Sequence, residues 1–369
     1  MTGPVAIIAA GELFGGAERH VLGLGAFLRG AGLDPRVILF HDRELAARCR
    51  DGGLPVDVLP ATSALDPAGP RRLGALCADL GVRLVHVHGY KAAANAALAP
   101  GRFAMVSTLH GQGEPDWRRP REFLRDRLYR NLEVQACRRR RAAVCFVTED
   151  LRRRHGRRYG ALPLFTVPNG IAPLEPEDYP QRPPDLPPDR LHAVMVGRLT
   201  PVKGIDLALA ALAAAPPEVP WHLDVIGDGK LRDALEAQAR ELGVGDRVTF
   251  HGFRRDVYAV LAHSDLLVMS SHHEGLPYTL LEAMSLGLPT LASDVGGLAE
   301  VLRHEETGLL VPVGDVAGLA AALARLGRDA ELRRRLGRNA ALRQRRDYTL
   351  QAMGEGYLAA YRASAGTLR

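Results

Sequence analysis

The sequence contains few cysteines and no long hydrophobic run. Its four cysteines, at 49, 77, 137 and 145, form no Cys-x-x-Cys pair and lack the spacing of zinc ligands. We therefore expect reduced, mostly buried thiols instead of a disulfide framework. The apolar run at 5–10 is too short for a signal-peptide core or a membrane span, and no basic segment precedes it. These absences favour a cytoplasmic protein.

No repeat of fixed period is visible, which argues against a solenoid. A length of 369 residues with 47% hydrophobic and 24% charged residues is typical of a globular protein with two domains. Short apolar runs alternate with amphipathic stretches rich in Ala, Leu and Arg, a rhythm that predicts βαβ units and parallel sheets. The runs are 5–10, 36–40, 84–87, 104–109 and 143–147, then 192–196, 222–226, 248–250, 265–269 and 289–292.

Proline marks the boundary between the predicted domains. Seven of the sixteen residues at 173–188 are proline, which excludes a helix or a central strand there and predicts a linker. The end of the chain has apolar residues at helical spacing and predicts a terminal helix packed on one or both domains. The predicted organisation is an N-terminal acceptor domain at 1–172 and a linker at 173–190. A C-terminal donor domain at 191–345 and a terminal helix at 346–369 follow.

The segment at 272–300 carries the strongest functional signal. It follows a predicted strand, and Gly275 and Pro277 suit a tight turn into a helix that ends at Gly287. Glu274 then lies at the start of this helix and Glu282 further along it, on either side of free N–H groups that favour an anion. This arrangement suits a ligand with phosphates between two sets of hydroxyls. The alternative is a helix-dipole partner at 274 and a solvated glutamate at 282.

Two cations follow another predicted strand, which ends near Val196. Arg198 offers a planar fork for phosphate oxygens, and Lys203 offers a point charge. Cations at such a strand end can stabilise a departing diphosphate without a metal. Two solvent-exposed surface cations are an equally good interpretation of this segment taken alone.

A glycine-rich loop at 11–21 follows the first predicted strand. It has the G-x-x-x-x-G frame of a P-loop, but Ala17 and Glu18 replace the required Lys-Ser/Thr, and the dinucleotide fingerprint is also missing. ATPase and NAD-binding functions are therefore disfavoured. Gly15 and Gly16 still allow backbone N–H groups to approach a phosphate or sugar, and a plain strand–helix turn remains open.

Histidines form a weaker set of candidates. His86 and His88 share one face of a strand, but the sequence shows no companion metal ligands, so a structural or substrate-contact role is favoured. His110 ends a predicted strand and is expected to face the ligand cleft between the domains, where parallel sheets bind ligands. His272 and His273 are expected only to line their loop.

In combination these segments resemble the retaining, nucleotide-sugar-dependent glycosyltransferases of family four, whose GT-B fold has two Rossmann-like doubly wound α/β domains facing a central cleft. The order and spacing of the motifs carry the resemblance over nearly the whole chain. The motifs are GGAE at 15–18, TLHG at 108–111, VPNGI at 167–171, VGRLTPVKGID at 196–206, VIGDGKLRDAL at 225–235, FHGFRRDV at 250–257, the E-x7-E segment at 274–282 and GLLVPVGD at 308–315.

The resemblance implies a role for each matched position. Arg198 and Lys203 would bind the donor phosphates and stabilise the leaving nucleoside diphosphate, and Glu274 would contact the sugar hydroxyls without acting as a nucleophile. His110 would lie beside the transferred sugar, near the reacting carbon. The remaining substrate contacts would be Gly15 and Gly16 at the diphosphate, Gly275, Leu276, Pro277 and Tyr278 at the sugar and phosphate, Glu282 at the ribose, and Phe253 and Arg254 near the base.

The resemblance also implies the reaction and its partners. A UDP-, GDP- or ADP-sugar would be the co-substrate, with no cofactor and no metal site, and a glycan, lipid-linked or small-molecule acceptor would receive the sugar with retention. The departing phosphate would help to deprotonate the acceptor on the same face. Another GT-B chemistry, such as an epimerase or a phosphorylase, and a non-catalytic nucleotide-sugar-binding subunit remain open.

An arginine-rich stretch at 116–158 holds fifteen arginines against six acids. Leucines and a tyrosine at helical spacing within it predict a basic amphipathic helix, which can lie on an anionic membrane. A solvated arginine-rich face is the plainer interpretation, and nucleic acid is the least favoured partner. The sequence therefore suggests a cytoplasmic enzyme in peripheral contact with the inner membrane surface.

Overall fold

A computed structural model describes residues 3–12, 15–60, 68–111, 120–216, 218–219 and 221–366. For residues 120–123 and 126 it describes the backbone only. Two parts of the predicted functional segments lie outside these residues: positions 13–14 of the glycine-rich loop and 116–119 of the arginine-rich stretch. The chain divides into two compact units, Met1–Gly170 with Leu350–Arg369, and Ile171–Thr349.

The first unit is built on a seven-stranded parallel sheet of order β3-β2-β1-β4-β5-β6-β7. Its strands are β1 Pro4–Ala9, β2 Asp34–Leu39, β3 Val56–Val58, β4 Leu84–His88, β5 Ala104–Leu109, β6 Ala143–Phe146 and β7 Leu164–Thr166. The helices of this unit are α1 Gly16–Gly30, α2 Glu44–Asp51, α3 Gly69–Asp79, α4 Tyr90–Leu98, α5 Pro120–Arg140, α6 Glu149–His155 and, from the end of the chain, α14 Leu350–Ala365.

The second unit has a six-stranded parallel sheet of order β10-β9-β8-β11-β12-β13. Its strands are β8 Leu191–Val196, β9 Trp221–Ile226, β10 Val248–Gly252, β11 Leu266–Met269, β12 Thr290–Ser293 and β13 Leu309–Val311. The helices are α7 Ile205–Ala214, α8 Arg232–Glu241, α9 Val257–Ala262, α10 Tyr278–Ser285, α11 Gly296–Val301, α12 Val316–Arg328 and α13 Ala330–Asp347.

The predicted class of two doubly wound α/β units is confirmed. All ten apolar runs lie on strands. Most of them are buried in their sheets and need no polar alternation, whereas the run at 248–250 lies on the partly buried edge strand β10. Three strands were missed: β3, β7 and β13 have only three residues each and lie at the edges of their sheets. An edge strand of that length carries too little hydrophobic pattern to be recognised in a sequence.

Each unit has its own hydrophobic core. In the first, α1 and α14 pack on the sheet, and Tyr357 and Tyr361 of α14 are fully buried with Ile7 and Leu24. In the second, Trp221 is buried and its Nε1 donates to the carbonyl of Leu323 at 2.8 Å. All four cysteines are free and buried, as expected, and burial raises the thiol pKa of each.

Among the described residues, no helix combines the length and the apolar character that crossing a bilayer requires.

The proline-rich segment lies in the second unit and packs against it. The N–H of Leu174 donates to Ser285 Oγ at 2.8 Å, and Glu175 pairs with Arg345 at 2.6 Å. His263 Nε2 donates to the carbonyl of Tyr179 at 2.9 Å. These contacts fix the segment although proline removes the backbone donors that regular structure would use.

A buried carboxylate connects three elements of the second unit. Asp224 on β9 is fully buried and accepts from His192 Nδ1 at 2.6 Å and from His251 Nε2 at 2.8 Å. Burial alone would raise the pKa of Asp224, but the two histidine hydrogen bonds outweigh it and hold that pKa below the usual value. Burial likewise opposes charge on His192, yet the bond to Asp224 raises its pKa.

We expect Asp224→Asn to lower the free energy of unfolding by about 1–3 kcal/mol near pH 5.5, because buried imidazole N–H groups lose a charged acceptor. Since the folded pKa of His192 is raised, its contribution is complete below the unfolded pKa and disappears as pH rises through the folded pKa. The lowered pKa of Asp224 gives a contribution that disappears only as pH falls through its folded pKa.

Urea denaturation of wild type and variant at about pH 5.5 and about pH 8.5 measures this difference. The gap between the two proteins should be smaller at the higher pH. A gap that is constant across this range would show that the His192–Asp224 pair does not contribute in its charged form.

Candidate active site

An ion pair joins two loops at the carboxyl ends of neighbouring strands in the second unit. Lys203 follows β8 in a short 3₁₀ turn, and Glu274 follows β11. Lys203 Nζ donates to Glu274 Oε1 at 2.6 Å, and the side chains are 24% and 9% exposed. Ser271 Oγ donates to the same oxygen at 2.7 Å. A cation and a carboxylate are thus held together where open parallel sheets bind ligands.

The backbones of these loops are also connected. Ser270 Oγ donates to the carbonyl of Gly204 at 2.6 Å, and the N–H of His272 donates to the carbonyl of Val202 at 2.9 Å. Two hydrogen bonds therefore join the loops that carry Lys203 and Glu274. They restrict the positions of the two side chains relative to each other.

Glycine is required at the contact between these loops. Gly204 has φ +58°, and a Cβ built there would lie 2.1 Å from the carbonyl oxygen of Ser270. On the other side, a Cβ on Gly296 would lie 2.2 Å from the carbonyl oxygen of Glu274, whose oxygen also accepts from the N–H of Gly297 at 3.3 Å. The path of the backbone around Glu274 is thus set by close approaches that only glycine permits.

Glu282 lies on α10, as predicted, but it is not solvated. Its side chain is buried, and Tyr258 Oη donates to Glu282 Oε1 at 3.2 Å. Residues 275–277 lead from Glu274 into α10, which begins at Tyr278. Leu276 and Tyr278 are buried and fix this turn. Burying a carboxylate costs free energy, even when a hydroxyl group donates a hydrogen bond to it. Because Glu282 is buried, its interpretation as a solvated helical residue is wrong.

The other predicted contacts of the second unit have different surroundings. Arg198 is exposed after β8, and Phe253 is 68% exposed after β10. Arg254 pairs with Asp256 at 2.6 Å and also contacts Asp185 of the proline-rich segment. Arg198 and Phe253 therefore present exposed side chains, whereas the guanidinium of Arg254 is held by two carboxylates.

Two supporting residues escaped the sequence analysis. Ser271 is buried beside Glu274, and Tyr258 on α9 reaches Glu282 from a separate helix. The serine is the second residue after β11, so its position near a strand end was a usable signal. Tyr258 gave no usable sequence signal, because a tyrosine on a helix with apolar neighbours cannot be told from an ordinary core residue.

The first unit holds the glycine pair and the predicted histidine. Gly15 precedes α1 with extended φ, and its carbonyl accepts from the N–H of Arg19 at 3.0 Å, while Gly16 opens the helix. His110 follows β5, and its Nε2 lies 2.8 Å from Nδ1 of His88 at the end of β4. His110 thus has a direct side-chain partner on the neighbouring strand.

The sequence showed no companions for His86 and His88, but the structure reveals two. The rings of His20 and His110 lie 5.2 and 5.1 Å from that of His88, and the His86 ring lies 4.4 Å from it. His20 was overlooked because a histidine on a helix of apolar periodicity gives no separate signal. Burial lowers the pKa of His20 to about 4 and those of the other three well below the usual value, which keeps the cluster neutral.

Two family models match the chain. The model of Glycosyltransferase Family 4 matches residues 14–173, and the model of Glycosyl transferases group 1 matches residues 181–343. The chain belongs to this glycosyltransferase family. The two models divide the chain much as its fold does, with one model for each Rossmann-like sheet.

Individual relatives agree with this assignment. The lipopolysaccharide core biosynthesis glycosyltransferase LpsD of Rhizobium meliloti is 38% identical over 47% of this chain and 49% of LpsD. A UDP-Gal:alpha-D-GlcNAc-diphosphoundecaprenol alpha-1,3-galactosyltransferase of Escherichia coli is 29% identical over 68% of this chain and 67% of that protein. The matched part thus spans about half the length of LpsD.

A solved structure confirms the fold. Anabaena Alr3699/HepE, determined in complex with UDP-glucose, superposes with a TM-score of 0.82 at 22% identity, over 97% of this chain and 98% of that one. The predicted GT-B fold is therefore confirmed.

Replacing Gly204 tests whether the contact between the two loops is as close as the structure shows. We expect Gly204→Ala to destabilise the second unit by more than the roughly 1–2 kcal/mol that a left-handed φ costs any residue with a Cβ, because the methyl group also collides with backbone. Gly243→Ala is the matched control, since Gly243 has φ +69° and no atom within 4 Å of its built Cβ.

Urea denaturation of both variants gives the comparison. Equal losses of unfolding free energy in the two variants would contradict the close approach of Gly204 to Ser270.

Proposed function

We propose that this chain is a metal-independent, retaining glycosyltransferase that moves a sugar from a nucleoside-diphosphate sugar to a glycan, lipid-linked or small-molecule acceptor. The observation that carries the proposal is the Lys203–Glu274 pair at 2.6 Å, on two bonded loops at the carboxyl ends of β8 and β11. A cation binds phosphate oxygens, and a carboxylate accepts hydrogen bonds from sugar hydroxyls. A nucleoside-diphosphate sugar carries phosphates and sugar hydroxyls next to each other.

The cations supply the electrostatic part of catalysis. An ammonium has three N–H donors, and the ion pair with Glu274 uses one, so Lys203 keeps donors for the diphosphate. Arg198, exposed on the same loop, adds a guanidinium that matches phosphate oxygens in pairs. We assign both residues to the charge that develops on the leaving nucleoside diphosphate.

The reaction exchanges one bond at the anomeric carbon. The bond from that carbon to the donor phosphate oxygen breaks, and the acceptor oxygen forms a bond on the same face through an oxocarbenium-like transition state. The acceptor proton passes to the departing phosphate, so atoms and charge balance without an enzyme nucleophile. In this scheme Glu274 holds sugar hydroxyls and lowers the barrier only by positioning.

The remaining contacts follow the family resemblance. We assign Glu282 to the ribose hydroxyls, Phe253 and Arg254 to the region of the base, and the backbone from Gly275 to Tyr278 to sugar and phosphate. Burial of Glu282 and the hydrogen bond from Tyr258 support the first assignment, since both fix the carboxylate in one orientation. From the first unit, we assign Gly15 and Gly16 to the diphosphate and His110 to the transferred sugar.

We propose a UDP-sugar as donor and a cell-surface polysaccharide or its lipid-linked precursor as product. HepE was determined with UDP-glucose, and the similar Escherichia coli enzyme is named for a UDP-galactose donor and a diphosphoundecaprenol acceptor. LpsD belongs to lipopolysaccharide core biosynthesis. We place this enzyme at the inner membrane surface, where a lipid-linked acceptor would lie.

We expect Lys203→Ala to lower sugar transfer or donor hydrolysis by about 10²–10³-fold, the effect of removing one group that stabilises developing charge. Glu274→Ala should also lose activity through loss of sugar positioning. Lys230→Ala is the matched control, because Lys230 is an exposed lysine of the same unit. The measurement is release of nucleoside diphosphate, preceded by a thermal-shift screen of UDP-, GDP- and ADP-sugars to select the donor.

Wild-type activity in both site variants would remove the assignment of Lys203 and Glu274. A wild-type protein that is stabilised by sugar nucleotides but releases no nucleoside diphosphate in the presence of acceptors would instead be a binding subunit.

The basic helix α5 supports peripheral contact with an anionic membrane. Leu124 and Leu128 lie one turn apart, are 64% and 55% exposed, and have Arg125 and Arg127 exposed next to them. Apolar side chains beside arginines on one helix suit the boundary between lipid headgroups and acyl chains.

We expect wild type to co-sediment with vesicles containing phosphatidylglycerol and not with pure phosphatidylcholine vesicles. The double variant Leu124→Ser/Leu128→Ser should bind less, because it loses the apolar contact. Leu342→Ser, at an exposed leucine of the second unit, is the control. Absence of binding to anionic vesicles by wild type would refute the membrane contact and favour a merely solvated arginine-rich face.

A further inference from the structure

Three histidine rings of the first unit converge on one point. His20 comes from α1, His88 from the end of β4 and His110 from the residue after β5. The His20 and His110 rings are 4.7 Å apart, and one ring nitrogen of each histidine lies within 4.8 Å of the corresponding nitrogens of the other two. Three imidazoles from three separate elements thus offer nitrogens to a common centre.

Each ring also has a buried nitrogen that is unused among the described residues. His20 Nε2, His88 Nε2 and His110 Nδ1 are inaccessible to solvent and have no hydrogen-bond partner in the described part of the chain. Buried polar atoms are satisfied in most proteins, so three such atoms in one cluster indicate a ligand that the described residues do not supply.

The hydrogen bonds around the cluster leave its rings ready to coordinate. His20 Nδ1 lies 3.0 Å from Asn169 Oδ1, an oxygen that can only accept, so the ring proton is on Nδ1 and Nε2 carries a lone pair. An outer carbonyl partner of this kind is what metal-binding histidines usually have. His88 Nδ1 and His110 Nε2 are 2.8 Å apart, and one of them carries the proton that joins them. A metal ion bound by both nitrogens displaces that proton to the far nitrogen of the same ring, so each imidazole stays neutral and keeps one N–H.

We propose that His20, His88 and His110 form a binding site for a borderline divalent transition-metal ion, with Zn²⁺ as the representative. Three neutral imidazoles match the nitrogen donors of zinc sites, whereas Mg²⁺ and Ca²⁺ require oxygen ligands.

His86 is adjacent but is not part of this site. Its Nδ1 bonds to Tyr361 Oη at 2.8 Å and its Nε2 to Thr108 Oγ1 at 2.7 Å, so both nitrogens are occupied. It is a buried histidine on the same strand as His88 and therefore the matched control for a substitution in the cluster.

The consequence for catalysis rests on the proposed function of His110. A metal ion that holds this ring is not available to the transferred sugar and should inhibit transfer, so the site would act as an inhibitory one. Direct binding is measured without donor or acceptor, which separates failure of the metal site from failure of the role given to His110.

The test uses the whole chain, free of any affinity tag and stripped with a chelator. Calorimetric titration with Zn²⁺, and with Co²⁺ followed by its visible absorption, should give one site per chain in wild type. His20→Gln, His88→Gln and His110→Gln should each weaken binding at least tenfold, as expected when one of three ligands is lost. His86→Gln and the exposed-surface variant His304→Gln should bind like wild type.

A wild-type protein that takes up neither ion, or a His86→Gln variant that loses as much affinity as the three ligand variants, would overturn the proposal. Circular dichroism checks that each variant is folded. If a buried variant fails to fold, the Zn²⁺-induced rise in melting temperature of wild type, compared with that of the partly exposed His110→Gln variant, decides the question. Zn²⁺ binding without inhibition of transfer would leave the metal site intact and contradict the role of His110.

Discussion

The ion pair between Lys203 and Glu274 is the interaction on which the candidate active site depends. Each partner would be costly to bury alone, and each is held by other contacts: Ser271 bonds to the carboxylate, and backbone bonds connect the two loops. The cation and the anion therefore neutralise each other while keeping a fixed geometry. A ligand that carries negative charge next to hydroxyls can engage both groups with little reorganisation.

The parallel sheet explains why these residues meet. Strands β8 and β11 are neighbours in space although seventy residues separate their sequences, and their carboxyl ends lie at one edge. Loops from that edge carry the cation and the carboxylate, and α10 carries Glu282 away from it. Glycines at 204 and 296 allow the loops to approach closely enough for the ion pair. Function here depends on backbone proximity as much as on the charged side chains.

Much of this arrangement was predictable from the sequence, and the exceptions have physical causes. Long buried strands are recognisable in the sequence by their apolar runs, whereas the three-residue edge strand β13 is not. Glu282 was correctly placed on a helix, but its burial depends on Tyr258, a tertiary contact invisible in a local pattern. The pairing of Arg254 with Asp185 was hidden for the same reason. His20 was missed because its partners come from two distant strands.

The central claim is that the second unit grips a diphosphate with Lys203 and Arg198 while Glu274 holds the sugar. A crystal structure of the full chain with a bound UDP-sugar tests it most directly. The account predicts phosphate oxygens within hydrogen-bond distance of Lys203 Nζ and the Arg198 guanidinium, and sugar hydroxyls on the Glu274 carboxylate. A nucleotide bound away from the carboxyl ends of β8 and β11, with the Lys203–Glu274 pair untouched, would contradict it.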